Sequence, residues 1–575
     1  MPESDLEKLT PPKELSKEQR KIIFEHIYRR LAVHRNNAER WANYEDFVGP
    51  GNDNGQIIRQ DFMEEINAWV NALLENAWVA CEEPGKKSPT VDALSDTSLR
   101  DLQPLPSQGI VSRLLNTILL LHITSTKHYS SHTRSFLFQL APLDELAAST
   151  TLKDPKHALA DAESHTQAAK DAQSRKNRVW RAVGVGGAAV AGGVLVGVTG
   201  GLAAPLVGAG VSTLLGALGL GGSAAGVLAA GLASSSAVCG ALFGVYGAKS
   251  SADMVARHTK EVADLAIVPV RKPRETLAVR VCVSGWLSDR TDVTAPWTVL
   301  DESEDTFALQ WEVEALEKLS SALGDLVTSH AIKLVKAEII KRTFLAALYA
   351  ALTPIAFLKV GQLIDNPWAN AKALAIKTGT VLGELLAGGA FGARPVSLYG
   401  YSLGALVILT ALEHLSTLPA KRTTHIVQDV FLMGTPAPAD DAAWTRARRV
   451  VAGRLVNLYT DAESDYVLAF LSRVSFSSAT GRFGVAGLQP VPVPGVENLR
   501  CEGVEGHVKW RGVVGKCLEM CDARGVKSEE ARKQEEEVGE RIRRVIEEAQ
   551  KSETPESEKE KETEEGEKGD DKSRT

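Results

Sequence analysis

Apolar residues in the N-terminal quarter of the chain recur every three or four positions, in stretches separated by polar segments such as residues 83–107. This spacing places them on one face of successive α-helices. We therefore predict a helical module over residues 17–150 and a helical linker over residues 151–181. The polar residues 1–16 are predicted to be disordered.

A different pattern follows, because residues 182–248 contain no Asp, Glu, Lys or Arg. The stretch is long enough for two bilayer spans of about 20 residues each, and its many Gly and Ala residues would allow close helix contact. Basic residues flank both ends: Arg175, Lys176, Arg178 and Arg181 before it, Lys249 and Arg257 after it. The positive-inside rule then predicts a transmembrane hairpin with both chain termini in the cytosol. The alternative is a buried or low-complexity segment of a soluble protein.

Residues 260–525 alternate between short extended runs rich in Val, Ile and Leu and longer helical runs. Such alternation is typical of a mostly parallel sheet covered by helices on both faces, the α/β class. The extended runs are residues 264–270, 276–284, 307–311, 395–399, 426–433, 454–459 and 496–501. Residues 526–575 are dominated by Glu, Lys and Arg, and we predict a charged helix followed by a disordered tail.

Composition narrows the classes of function. The net charge of −7 over 575 residues does not favour a nucleic-acid partner. Six cysteines without a regular framework indicate reduced thiols in a cytosolic setting, and no signal peptide is expected from the polar N-terminus. His122, His128 and His132 lack acidic or Cys partners nearby, so we interpret them as polar surface residues. We predict no cofactor and no metal.

Candidate chemistry begins at Gly400-x-Ser402-x-Gly404, which lies between a predicted strand and a predicted helix. This is the nucleophile-elbow pattern of α/β-hydrolases, in which the serine adopts a positive φ on a tight turn. Glycines are needed on either side because a Cβ there would collide with the neighbouring strand or helix. The pentapeptide alone is weak evidence, so its context decides.

In that fold the chain order is serine, acid, histidine. Of the three histidines after Ser402, His414 lies in the following helix and His425 opens the next strand. His507 remains, in a glycine-bearing loop, as the predicted general base.

Two carboxylates could orient that histidine. Asp461 directly follows the run 454–459 and could instead be a turn or cap residue. Asp465 lies at the loop position at which α/β-hydrolases usually carry the acid, and we favour it over Asp461.

An oxyanion hole requires two backbone N–H donors. Leu403, next to the serine, supplies one candidate, and Trp286 or Leu287 in the loop after the run 276–284 supplies the other. The alternative role for Trp286 is a bulky cover over the sheet.

Several segments together resemble the transmembrane and coiled-coil domain-containing family of eukaryotic membrane α/β-hydrolases, long catalogued as a domain of unknown function. They are Asn366-Pro367-Trp368 and residues 394–405, 427–434, 453–459 and 506–507. The resemblance covers roughly residues 178–517 and implies a hydrophobic hairpin before a hydrolase domain. It also implies a triad of Ser402, Asp465 and His507. One departure is Leu406, where the family often has Arg.

These observations predict a membrane-anchored serine ester hydrolase that acts on lipid or acyl esters through an acyl-enzyme. Anchoring beside a bilayer would raise the effective concentration of amphipathic esters. The expected partners are the lipid bilayer, the ester substrate and proteins bound by the N-terminal module or the charged tail. The alternative is a catalytically inactive hydrolase fold that acts as a trafficking or adaptor scaffold.

Overall fold

The structure, a computed structural model, describes most of the chain. The described residues are 3–48, 53–84, 87–181, 209–243, 255–256, 261–331, 354–465, 467–469, 471, 484–504, 507–537 and 540.

Seven strands form one sheet in the order β1-β3-β2-β4-β5-β6-β7. They are β1 (Ala266–Pro269), β2 (Val279–Val283), β3 (Asp305–Gln310), β4 (Val396–Tyr401), β5 (Val427–Met433), β6 (Leu455–Tyr459) and β7 (Val496–Arg500). Only the pair β1–β3 is antiparallel among these neighbours. Each strand overlaps an extended run that the sequence predicts, and the chain is an α/β protein.

The N-terminal third is helical, as its periodicity predicts. The helices are α1 (Asp5–Lys8), α2 (Lys17–Val48), α3 (Asp53–Ala80), α4 (Gln108–Thr126), α5 (Ser131–Phe138), α6 (Glu145–Lys153) and α7 (Pro155–Arg181). Their buried apolar side chains form a core of their own, distinct from the core of the sheet.

Residues 3–16 correct the prediction of disorder. Leu6 and Leu9 are fully buried, and Arg113 of α4 donates hydrogen bonds to the carbonyl oxygens of Glu7 and Thr10, at 2.6 and 2.9 Å. The segment has too few apolar residues to fold alone, so its order comes from these long-range contacts.

Three short helices follow within the uncharged stretch: α8 (Ala209–Ala217), α9 (Gly222–Ala233) and α10 (Ser235–Leu242). Leu215, Leu228, Leu232 and Leu242 of these helices are buried in the N-terminal core. Helix α9 packs so closely on α4 that a Cβ at Gly231 would lie 2.5 Å from Thr124 Oγ1. In the described parts of the chain no single helix is long and apolar enough to cross a membrane; α9 and α10 qualify only as a pair, bent by 66°. Residues 182–208 and 244–248 lie outside the described residues, so the two-span hairpin stays a prediction.

The helices after β1 are α11 (Val313–Ala331), α12 (Pro354–Ala387), α13 (Leu403–Thr417), α14 (Ala420–Thr423), α15 (Asp441–Val450) and α16 (Val514–Met520). Glycines let α12 approach α13 closely, since a Cβ at Gly379 would lie 2.5 Å from Thr410 Cβ. Every residue of β2 and β4 is buried, as expected for parallel strands that are covered on both faces.

The first turns of the charged C-terminal segment belong to this domain. Residues 528–537 are helical, and Gln534 donates to the carbonyl oxygen of Pro296 at 2.8 Å. Ala531 is buried against Gly515. The predicted disordered end of the chain lies outside the described residues.

Buried ion pairs join the helical module to the sheet domain. Arg449 of α15 pairs with Glu45 of α2 at 2.6 Å, and Arg134 of α5 pairs with Glu304 beside β3 at 3.1 Å. Arg134 also donates to the side chain of Gln428 in β5 at 2.7 Å. Breaking such a pair leaves a charge buried without compensation, at a cost of about 3–5 kcal/mol.

The histidines interpreted as surface residues correct that interpretation, because His122 and His132 are buried and His128 is half-buried. The imidazoles of His34 and His132 share a hydrogen bond of 3.0 Å. Burial, reinforced by the charge of Arg448, lowers the pKa of His34 to about 4, and burial lowers the pKa of His122 to about 3. These rings are therefore neutral at neutral pH.

We expect this histidine cluster to make the fold sensitive to acid. The ordinary imidazole pKa is about 6.5, so below that pH the unfolded chain binds more protons than the folded chain. The free energy of unfolding should fall between pH 7 and pH 5 by roughly 1–2 kcal/mol for each buried histidine. Thermal unfolding followed by circular dichroism would measure the slope.

His34→Gln should flatten this dependence, whereas His157→Gln, at a site with 71% of the side chain exposed, should leave it unchanged. Equal slopes in the two variants would contradict the assignment.

Candidate active site

Three predicted residues lie beyond the carboxyl ends of parallel strands. Ser402 follows β4, Asp465 follows β6 and His507 follows β7. Parallel strands end at the same edge of a sheet, and that edge is where open α/β sheets bind their ligands. The topology thus brings together Ser402 and His507, which are 105 positions apart, and Asp465 and His507, which are 42 positions apart.

Ser402 adopts a backbone conformation that L residues seldom occupy, with φ at 54° and ψ at −130°. Its N–H donates to the carbonyl oxygen of Met433 in β5 at 2.9 Å, and α13 begins at the next residue. Such a turn costs of order 1–3 kcal/mol and persists only where the surrounding structure imposes it.

Glycines on both sides allow this turn. A Cβ at Gly400 would lie 2.7 Å from Ile408 Cδ1, and a Cβ at Gly404 would lie 2.0 Å from the carbonyl oxygen of Val283. The two glycines therefore let α13 start directly against β2 and β4.

The loop after β2 packs against the same turn. A Cβ at Gly285 would lie 2.4 Å from the backbone nitrogen of Leu403 and 2.0 Å from that of Gly404. Trp286 and Leu287, two of the predicted oxyanion residues, thus directly follow a residue that contacts the backbone nitrogen of Leu403, the third. The hydroxyl of Tyr401 holds this segment by donating to the carbonyl oxygen of Trp286 at 3.0 Å.

His507 begins a short 3-10 helix, His507–Gly512, and connects the other two residues. Its Nε2 lies 2.5 Å from Ser402 Oγ, and its Nδ1 lies 2.7 Å from Asp465 Oδ2. Because a carboxylate only accepts, Nδ1–H is the donor to Asp465, which leaves Nε2 to accept from the serine hydroxyl. The three side chains form one hydrogen-bond chain.

Asp465 is held by further donors. Its Oδ1 accepts from the backbone N–H of Leu468 at 3.0 Å, and its Oδ2 also accepts from Trp510 Nε1–H at 2.9 Å. Asp461, the alternative acid, points elsewhere: it accepts from the backbone N–H of Ser464 and pairs with Arg500. Of the two carboxylates, Asp465 is the one that contacts His507.

Trp510 is a site residue that the sequence analysis missed. A 3-10 helix has three residues per turn, so positions 507 and 510 lie on the same face. The indole N–H and the imidazole N–H can therefore reach the same carboxylate oxygen. The sequence offered one signal, a tryptophan three residues after the predicted base. That spacing is informative only if the segment is known to be a 3-10 helix.

A second missed group ties the loop after β2 to the helix of His507. Asp292 accepts from the N–H of Ser288 at 2.7 Å and pairs with Arg511 at 3.0 Å. Burial raises the pKa of Asp292, and the charge of Arg511 opposes this. The Trp286 ring meets the His507 ring edge to face, with centroids 5.8 Å apart.

Burial is complete at the centre of the site, since the side chains of Ser402, Asp465 and His507 have no exposed area. The described residues contain no cluster of three His, Cys, Asp or Glu side chains that could hold a metal ion. The arrangement can move a proton from the serine hydroxyl to the imidazole, and a ligand can reach Ser402 Oγ only after surrounding groups move.

Comparisons with known proteins find one family model and several relatives, some of which are named membrane proteins. The family model described as protein of unknown function DUF726 matches residues 177–524. The uncharacterized membrane protein C6F6.13c of Schizosaccharomyces pombe is 35% identical over 476 residues, which are 80% of this chain and 78% of that protein. No solved structure matches.

Two other relatives carry more descriptive names. The transmembrane and coiled-coil domain-containing protein STS1 of Oryza sativa subsp. japonica is 35% identical over 376 residues, 63% of this chain and 56% of that protein. The probable lipase MIL1 of Saccharomyces cerevisiae is 32% identical over 276 residues, 47% of this chain and 25% of that protein. The chain thus spans about half of the first and a quarter of the second.

The backbone contact at Gly404 yields a prediction about stability. Gly404→Ala should lower the free energy of unfolding by about 1–3 kcal/mol, because its Cβ would overlap a backbone oxygen that cannot move alone. Gly226→Ala is the matched control: nothing lies within 4 Å of its Cβ in helix α9. Alanine there should raise stability by roughly 0.5–1 kcal/mol. Equal melting temperatures for the two variants would argue against the packing described.

Proposed function

This chain belongs to the family described as protein of unknown function DUF726, and within it we propose a membrane-anchored serine ester hydrolase of the α/β-hydrolase fold. The observation that carries the proposal is the hydrogen-bond chain from Ser402 through His507 to Asp465. The positive φ of the serine and the order serine, acid, histidine along the sequence support it.

In the proposed mechanism His507 Nε2 takes the proton of Ser402 as Oγ attacks the ester carbonyl carbon. Asp465 holds the tautomer and stabilises the imidazolium. Collapse of the tetrahedral intermediate breaks the ester C–O bond, and His507 gives its proton to the leaving alkoxide. Water, deprotonated by His507, then hydrolyses the acyl-enzyme and regenerates the serine hydroxyl.

Backbone donors would stabilise the oxyanion of each tetrahedral intermediate. We assign this role to the N–H of Leu403 and to that of Trp286 or Leu287, which the glycine contacts at Gly285 bring side by side. Removing one such donor typically costs about 10²–10³ in rate, so their rigid support by Tyr401 and Asp292 matters for catalysis.

The substrate class proposed is a lipid or acyl ester. A relative in Saccharomyces cerevisiae is named a probable lipase, and other relatives are named membrane proteins. Residues 182–248 would anchor the hydrolase domain, residues 260–525, to the cytosolic face of a bilayer. The module over residues 17–150 and the charged residues 526–575 would offer surfaces to protein partners.

One observation favours the alternative of an inactive scaffold: the side chain of Ser402 has no exposed area. A scaffold would keep its buried serine unreactive, whereas an enzyme must open to its substrate. The two functions therefore differ in whether Ser402 reacts with a small electrophile.

We expect a fluorophosphonate probe to label the full chain at Ser402 and Ser402→Ala to abolish labelling. Asp465→Asn should lower hydrolysis of a short-chain ester by on the order of 10³–10⁴, because the imidazole loses its orienting acceptor. Asp461→Asn is the matched control and should change the rate less than about twofold, since Asp461 contacts Arg500 and not the histidine. Equal labelling of wild type and Ser402→Ala, or no labelling of either, would refute the proposed enzymatic activity.

Membrane anchoring has its own test. After carbonate extraction of cell membranes the chain should remain in the pellet, because two spans of about 20 residues resist release by high pH. In sealed vesicles whose cytosolic face points outward, protease added from outside should digest tags at both termini. Release of the chain into the supernatant would rule out the hairpin, and protection of one tag would rule out an even number of spans.

A further inference from the structure

A cavity of about 460 Å³ lies between helix α2 and the sheet, outside the site described above. Its floor is formed by Asp429 near the start of β5, Arg454 just before β6 and Val496 at the start of β7. These are the amino ends of parallel strands whose carboxyl ends precede the Ser402 site. With five to seven residues per strand, the two sites are about 15–20 Å apart.

Arg448 lines this cavity with an incomplete set of hydrogen bonds. Its side chain is 1% exposed, and Nη2 donates to the carbonyl oxygens of Val451 and Gly453 at 2.8 and 2.9 Å. Nε and Nη1 have no hydrogen-bond partner among the described residues. Since a guanidinium has five N–H donors, three are unmatched, and unmatched buried donors of a charged group are costly.

The surroundings of Arg448 fix its position and leave it charged. Its guanidinium stacks 3.9 Å from the centroid of the Trp41 ring, which fixes the plane of the donors. Burial lowers the pKa of Arg448 to about 10, which still leaves the group charged at neutral pH. Arg30, also lining the cavity, has an Nε without a partner in the described chain.

The cavity carries an excess of positive charge. Four arginines line it, Arg30, Arg448, Arg454 and Arg524, against two carboxylates, Asp429 and Glu497. Arg454 and Glu497 neutralise each other in an ion pair of 2.6 Å. His34, the other titratable lining residue, is neutral because burial lowers its pKa to about 4. Two positive charges remain in excess, the complement of a phosphate monoester dianion.

We propose that this cavity binds a phosphate-bearing ligand whose dianion is held by Arg448 and Arg30. Its volume suits a group the size of a phospholipid headgroup or a sugar phosphate. Trp41, Val33 and Leu99 supply apolar surface beside the arginines for the organic part of such a ligand. The site joins the module to the sheet, so an occupant would strengthen the contact between α2 and α15.

The proposal is tested first by thermal unfolding of the full chain in inorganic phosphate and in sodium chloride of matched ionic strength. Phosphate should raise the melting temperature in a saturable manner, since a ligand that binds only the folded state stabilises it. Sodium chloride should not raise the melting temperature in this manner. A response to phosphate no larger than the response to chloride would overturn the site.

Variants test whether the stabilisation by phosphate comes from Arg448 and Arg30. Arg448→Lys keeps the charge but loses the fork of donors, and Arg30→Gln removes a charge at the half-buried rim; each should weaken phosphate binding by about tenfold or more. Arg422→Gln, exposed and paired with Glu384, is the matched control and should bind as wild type does. If Arg448→Lys fails to fold, Arg30→Gln alone decides. Unchanged binding in Arg30→Gln would refute the assignment.

The source of the phosphate is distinguished by two probes, soluble glycerophosphate and phosphatidylcholine vesicles containing phosphatidylinositol phosphate. Saturable binding of either one supports the site and identifies the class, and binding of neither overturns it. Both variants should keep full fluorophosphonate labelling at Ser402. Failure of the phosphate site is therefore distinguishable from failure of the proposed hydrolase.

Discussion

The site depends on one close backbone contact, between the end of β2 and the start of helix α13. Gly404 lies against the carbonyl oxygen of Val283, and Gly285 lies against the backbone nitrogens of Leu403 and Gly404. No side chain fits between these segments, so the turn at Ser402 cannot relax. The contact therefore holds the serine at a positive φ and places the loop after β2 beside the N–H of Leu403. The proposed nucleophile and oxyanion donors are positioned by the same atoms.

Around this contact, support comes from residues that do not touch the serine. Trp510 shares the carboxylate of Asp465 with the histidine, and Arg511, the next residue, pairs with Asp292 in the loop after β2. One short 3-10 helix thus braces both the acid and the predicted oxyanion loop. Hydrogen bonds of this kind fix the rotamers on which a proton-transfer chain relies.

At the opposite edge of the sheet, where the parallel strands begin, buried arginines determine the packing. There the helical module meets the strands through buried arginines, and pairs such as Arg449 with Glu45 satisfy most of the charge. Arg448 and Arg30 are exceptions, because each has side-chain N–H donors that no described residue accepts. Natural proteins rarely leave a buried cation unmatched, which is why the cavity beside it points to an anionic ligand and a second role for the interface.

Hydrophobic spacing by itself determined the seven strands, the long N-terminal helices and the serine between a strand and a helix, because these depend on neighbours along the chain. The order of residues also predicted His507, since His414 and His425 fall inside regular elements. Only the tertiary structure decided that Asp465 and not Asp461 meets the imidazole, that residues 3–16 are ordered, and that His122 and His132 are buried. Those outcomes depend on strand register and on contacts between segments that are far apart in the sequence, which no local pattern records.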